Sequence, residues 1–225
     1  MTADREESVV AYVKAAERRD QIVAAARRAL IRDGVGRTTM RTVAAEAQVP
    51  LGTLHYVFQS KERLFRAVLE DIIQAITQDL EVLRSPGRGM AETLDEGLRR
   101  TWARMAARDP GRQLLQYELL TYALRTPNLA DMARWQYEEY FRIVAAWCRA
   151  AAEDAGETCA VGFDLLARVI VAQFDGLILQ HLADPEADRA AQDLEQVVAM
   201  VVAMAAPRGP RAGRRRTAAS SSSPS

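Results

Sequence analysis

An all-α fold is what the 225 residues predict, on three observations. No stretch alternates apolar and polar residues in the way a half-buried strand does. Alanine and arginine, both good helix formers, dominate the chain. Apolar residues recur at steps of three and four, and glycine or proline interrupts each run. With 49% hydrophobic residues, the chain can bury a substantial core.

The elements follow in order. A first helix is expected over about 18–33, striped by Ile22, Ala26, Ala29 and Leu30, with an extension back into ESVVAYVKAAER left open. The glycines of DGVG stop it. Thr38 or Thr39 caps a short helix over about 40–47, with Val43, Ala44 and Ala47 inward. QVP then turns the chain into a third helix over about 51–57. Ser60 caps a long fourth helix, about 61–84, striped by Leu64, Val68, Ile72, Ile76, Leu80 and Leu83. SPGRG (Ser85–Gly89) breaks the chain, and helices over about 90–108 and 112–125 follow. Thr126-Pro127 predicts the start of a long helix ending near 154, because proline suits the first helical position. Two last helices, about 160–183 and 186–205, flank Asp184-Pro185. This divides the chain into an N-terminal extension (1–17), a three-helix unit (18–66), a larger helical domain (67–206) and a tail expected to be disordered (207–225).

Charge is uneven along the chain. The formal net charge is zero, yet residues 18–66 carry 10 basic side chains against 4 acidic ones. Residues 86–206 are net −6, and residues 207–225 hold five arginines and no acid. Phosphate binding needs such a local excess, whatever the total. No run of 18 apolar residues is present and the first residues lack a signal-peptide core, so a cytoplasmic protein without a membrane partner is expected. Cys148 and Cys159 have no metal-ligand spacing and read as buried thiols. His55 and His181 both fall in helices, and no phosphate loop, nucleophile elbow or HExxH occurs. No enzyme activity, cofactor or metal is expected.

Val43 to Phe58 reads as helix, tight turn, helix, a pair that exposes its second member to a DNA major groove. The stretch TTMRTVAAEAQVPLGTLHYVFQSKERLFRAVLE resembles the N-terminal domain of TetR-family transcriptional regulators. The resemblance rests on Thr39, Val43-Ala44, Val49, Gly52-Thr53-Leu54, an aromatic at position 56, Phe58 and Ser60-Lys61-Glu62, with IVAAARRALIRDGVGRTT upstream. It implies a DNA-binding helix-turn-helix domain joined by a long helix to a ligand-binding and dimerisation domain. It also implies that Thr39, Arg41, Thr53, Tyr56 and Lys61 contact phosphates or approach bases, while Leu51, Gly52 and His55 face the groove. Leu54 and Phe58 are expected to face inward. His55 stands where the family usually has tyrosine, and Gln48 where it has a turn glycine, which costs about 1 kcal/mol. Taken singly, His55, Tyr56 and Lys61 are ordinary surface or core-edge residues; the aligned set points to double-stranded DNA. The alternative is a helical adaptor that uses the same fold for protein contacts.

The segment AVGFDLLARVIVAQFDGLILQHLA is apolar on nearly every face, so it needs cover on every face. With the last helix it predicts a four-helix homodimer interface through Leu165, Val169, Ala172, Ile178, Val198, Val201 and Val202. A twofold dimer sets its reading helices about 34–36 Å apart or more, on a palindromic operator. The resemblance further implies a small-molecule effector, unidentified from the residues, whose entry shifts the long fourth helix and releases DNA. Helix phase nominates Trp102, Tyr117, Tyr140 and Phe174 as its lining, with Gln116, Gln173 and Asp175 as polar anchors.

Overall fold

The computed structural model describes residues 3–83, 87–106, 110–127 and 129–209, with side chains from residue 15 onward. Among the described residues there are nine helices, and the only extended pairing is a single Thr158–Arg208 bridge. In chain order they are α1 (Ala3–Asp33), α2 (Met40–Glu46), α3 (Leu51–Val57), α4 (Lys61–Val82), α5 (Met90–Ala106), α6 (Pro110–Arg125), α7 (Ala130–Ala155), α8 (Phe163–Ala183) and α9 (Ala187–Ala205). The tail beyond residue 209 and the breaks at 84–86 and 107–109 lie outside the described residues.

Local chemistry fixes the short elements. Thr39, not Thr38, caps α2: its hydroxyl accepts from Thr42 N, and the Thr42 hydroxyl accepts in return from Thr39 N. Thr38 is buried and donates its hydroxyl to Gly34 O at 2.8 Å. Ser60 caps α4 by accepting from Arg63 N. Gln48, in the turn between α2 and α3, has φ 54°, the left-handed region that favours glycine.

Two hydrophobic clusters form the core. The first joins α1–α3 and the first half of α4 through Ile22, Leu30, Val43, Leu54 and Phe65. It also takes in Leu115 and Leu119 of α6 and Met132 of α7, so the N-terminal unit is packed directly onto the larger domain. The second cluster runs from Ile73 and Leu80 of α4 through α5, α7, α8 and α9. Each fully buried side chain of this kind contributes about 1.5–3 kcal/mol. The helix α4 therefore belongs to both clusters, and the expected division at 66/67 falls inside it.

Two expectations need correction. The long helix α7 begins at Ala130 rather than at Thr126-Pro127. Thr126 wraps back onto α6 instead, its N–H reaching Ala123 O and its hydroxyl Tyr122 O. The proline at a first helical position is Pro110, which opens α6 two residues earlier than expected. The second correction concerns α8 and α9. Ile178, Val198 and Val201 are 5%, 2% and 0% exposed, inside their own protomer's core, and are unavailable to a partner. Ile178 follows Val171 and Phe174 at steps of three and four on the inward stripe of α8. Val198 and Val201 share the inward stripe of α9 with Leu194 and Ala205. Leu165 and Ala172 lie exposed on the opposite face of α8, with Val169 half-buried between them, and Val202 is half-buried on α9.

By length and composition α8 is also the one helix among the described residues apolar enough to cross a membrane, where none was expected. Its inward face is taken up by the second core cluster, which is ordinary for a core helix.

Candidate nucleic-acid interface and internal cavity

The short helix α3 divides cleanly between two faces. Leu54 is fully buried, and Phe58, just past the helix end, is buried beside it; these fasten α3 to α1 and α4, as expected. Gly52 and His55 are exposed, Leu51 and Thr53 half-buried, and Tyr56 is 89% exposed. An aromatic ring so far out of its own core is a surface feature available to another molecule. Thr39 and Arg41 are exposed at the start of α2.

Much of the basic excess is already paired. Arg28 and Arg32 both reach Glu46 at 2.8 Å, Arg27 pairs with Asp71, and Arg19 and Arg66 share Glu70. Exposed pairs of this kind are worth about 0–1 kcal/mol, so such arginines can exchange a carboxylate for a phosphate at little cost.

Lys61 stands at the start of α4, where it was expected, half-buried and with partners inside the protein as well. Its ammonium donates to Val35 O at 3.2 Å and lies over the Phe65 and Tyr122 rings, 5.0 and 5.6 Å from their centroids. Partial burial pulls its pKa below the usual lysine value. The carbonyl and the two ring faces hold the half-buried cation against the protein, where it pins the start of α4 to the loop before α2.

The same loop is held from a second side. Val35 N donates to Glu118 Oε2 of α6 at 2.9 Å. Gly34, at φ 76°, leaves room for that carboxylate: a Cβ there would sit 3.3 Å from Oε2. One peptide segment of the α1–α2 loop is thus clamped by α4 through Lys61 and by α6 through Glu118.

Both clamping helices also border an internal cavity of about 80 Å³. Ile76 and Leu80 come from α4, Gln116 from α6, Tyr140 and Trp147 from α7, and Phe174 from α8. The wall is almost wholly apolar apart from Gln116, Thr101, the Tyr140 hydroxyl and Asp175. The polar groups are linked. Tyr117 and Tyr137 donate their hydroxyls to the two Asp175 oxygens at 3.1 and 2.8 Å. Tyr140 donates to Gln116 Oε1 at 3.1 Å and accepts from Gln136 Nε2 at 3.2 Å. Burial pushes the pKa of all three tyrosines up, and pushes the Asp175 carboxyl up despite the two hydroxyls that favour its charged form.

Of the four nominated lining residues, Tyr140 and Phe174 border this cavity. Tyr117 stands behind it, reaching Asp175. Trp102 lines a smaller neighbouring cavity of about 30 Å³ with His181, ring to ring at 5.5 Å. Gln116 and Asp175 are in the wall, whereas Gln173 is not. Sequence reasoning missed Glu118 and Val35, whose roles arise only from the approach of α6 to a distant loop. The consecutive Gln116, Tyr117 and Glu118 were the available signal, because neighbouring residues on one helix face different partners.

Comparison with known proteins agrees with this geometry. The family described as bacterial regulatory proteins, tetR family, matches residues 22–68, and the tetracyclin repressor-like C-terminal domain matches residues 89–204. The chain belongs to the TetR family of transcriptional regulators. The HTH-type nicotine-responsive transcriptional repressor HdnoR of Paenarthrobacter nicotinovorans is 29% identical over 177 residues, spanning 79% of this chain and 90% of that relative. The multidrug binding protein EbrR, solved with ethidium, is 27% identical at a TM-score of 0.60, over 82% of this chain and 98% of that one. Salmonella enterica GusR shares the fold at 23% identity and a TM-score of 0.65, over 84% and 96% of the two chains. This TetR-family chain is a ligand-responsive, DNA-binding transcriptional regulator with a helix-turn-helix reader. Regulators of the family act as dimers on DNA and are generally non-enzymatic.

Proposed function

We propose that a homodimer of this chain represses transcription from a palindromic operator and releases it when a small organic molecule enters the α4–α8 cavity. Thr39, Arg41, Leu51, Gly52, Thr53, His55 and Tyr56 supply the DNA contacts from each reader. Lys61 acts one step back, by fixing the angle between α4 and the reader. The dimer forms on the outward stripe Leu165, Val169, Ala172 and Leu179 of α8, with Ala199, Met200 and Val202 of α9. Leu165, Leu179 and Met200 are 43%, 46% and 44% exposed in the single chain, which supports this face.

The observation that carries the regulatory reading is the double clamp on Val35. Both helices that hold it, α4 and α6, also wall the cavity. Drug-sized ligands occupy sites of about 300–1,000 Å³, so a ligand in a cavity of about 80 Å³ displaces wall side chains. Movement of α4 or α6 then changes the placement of the loop and of α2–α3 behind it. The ligand shifts the population only as far as it prefers the displaced state. The ligands named for two relatives, nicotine and ethidium, are aromatic, in keeping with a wall containing Tyr140, Trp147 and Phe174. A cytoplasmic, DNA-associated protein without catalytic activity completes this reading.

The test is capture of genomic DNA fragments by the purified chain at two salt concentrations. One enriched palindrome, bound at both, is the expected result. Uniform binding that collapses steeply with salt would leave only phosphate attraction and defeat the operator reading.

A further inference from the structure

The cavity contains a charge for which the protein provides no counter-charge. Asp175 is in its wall, and no Lys, Arg or His lines it. Among the described residues none pairs with Asp175, and its only partners are the hydroxyls of Tyr117 and Tyr137. Those hydroxyls hold the carboxylate in one orientation without neutralising it. Each carboxylate oxygen accepts about two hydrogen bonds, so one site per oxygen is left over. A half-buried carboxylate without a cation is costly, and its partial burial has raised its pKa. Such groups are kept where they do a job.

The surroundings say which job. The Tyr140, Trp147 and Phe174 rings border the same cavity, and ring faces attract cations that have left water. The Trp147 side chain is 5% exposed and its indole N–H has no partner. The cavity therefore offers a carboxylate and three aromatic rings within an apolar wall.

Resting on the effector-cavity reading above, we infer that the ligand class is an organic cation: an amine or quaternary ammonium on an aromatic or apolar body, with the positive group against Asp175. A neutral hydrocarbon of the same shape leaves the carboxylate unpaired, and an anion is repelled by it.

Phenyltrimethylammonium and tert-butylbenzene test this, because they share one shape and differ by one charge. Binding of each to the full-length protein is followed by calorimetry and tryptophan fluorescence, and operator affinity is measured beside it. The wild type is expected to bind the cation about tenfold or more tightly than the hydrocarbon. Asp175→Asn, checked for an intact melting transition, is expected to reverse that order. A wild type that prefers the hydrocarbon, while either compound still loosens operator binding, overturns the cation assignment and leaves the effector cavity standing. Binding of neither compound overturns both. The wild-type comparison needs no variant, so a misfolded Asp175→Asn does not blunt it.

Discussion

The reader and the cavity are built by opposite means. The reader is made of two seven-residue helices, and its geometry comes from neighbours in sequence: a Thr39–Thr42 capping box, a four-residue turn, and Leu54 and Phe58 pointing inward. The cavity draws its wall from α4, α5, α6, α7 and α8, and three of the four bonds in its polar network tie residues 24 to 58 positions apart. In the reader, function is on the outside and stability on the inside, residue by residue. In the cavity, on the proposed reading, the same residues do both: Asp175 is without a counter-cation and Trp147 Nε1 without a partner, which a purely structural core would avoid.

The sharpest way to break this contrast is to mutate adjacent faces of α3. Leu54→Ala removes a fully buried side chain and is expected to destabilise the protein by about 2–5 kcal/mol, read from denaturant melts. Tyr56→Ala, two residues on, is expected to change stability by less than about 0.5 kcal/mol. It should nevertheless weaken operator binding by about tenfold to a hundredfold, the worth of one hydrogen bond to a charged group. Equal effects of the two variants on stability would mean the faces are not separate.

The cavity should not permit that separation. Gly97 of α5 lies flat against Trp147: a Cβ there would come 2.7 Å from the ring's Cη2 and closer still to Cζ2. Helix propensity alone would favour alanine by about 1 kcal/mol. Overpacking is expected to outweigh this, giving a net loss of about 1–2 kcal/mol in Gly97→Ala together with altered binding in the cavity, because Trp147 forms its wall. A higher melting temperature with unchanged ligand binding would show that the ring moves aside freely.

Between the two regions, Glu118→Gln weakens the bond to Val35 N while keeping the side chain's size. The expected result is ligand affinity in the cavity close to wild type, with the ligand's effect on operator affinity reduced by about 0.5–2 kcal/mol. The readout is operator affinity at zero and saturating ligand. If that difference is unchanged, α4 and Lys61 transmit the signal without α6.

How much of this was legible in the sequence follows the same contrast. The start and end of α3, the Ser60 cap of α4 and the inward pair Leu54 and Phe58 depend on contacts a few residues away, and all were readable. The faces of α8 were half readable. Apolarity all round announced two packing surfaces, but which residue met which depended on where α7 and α9 lay, so Ile178, Val198 and Val201 were put on the wrong side. The internal partner of Lys61 was not legible, because that carbonyl is 26 residues away. Pro127 misled because a proline fits a turn as well as a helix start, and Thr126 had a better use closing α6.

The mildest test sharpens the local side of the comparison. Gln48 sits at φ 54° in the α2–α3 turn, and its neighbours close that turn through backbone bonds from Val49 N to Ala44 O and Ala47 N to Val43 O. A side chain in this conformation costs about 1 kcal/mol, which glycine avoids. Glycine also adds freedom to the unfolded chain, offsetting part of the gain. Gln48→Gly is therefore expected to stabilise the protein by about 0.5 kcal/mol, a rise of about 1–2 °C in melting temperature at this chain length. Because Gln48 is exposed and far in sequence from every residue of the cavity wall, the gain should appear with the cavity's ligand binding unchanged. A fall in melting temperature would mean that the Gln48 side chain stabilises the turn in a way that outweighs its backbone strain. The reader's geometry would then depend on more than its caps and inward pair.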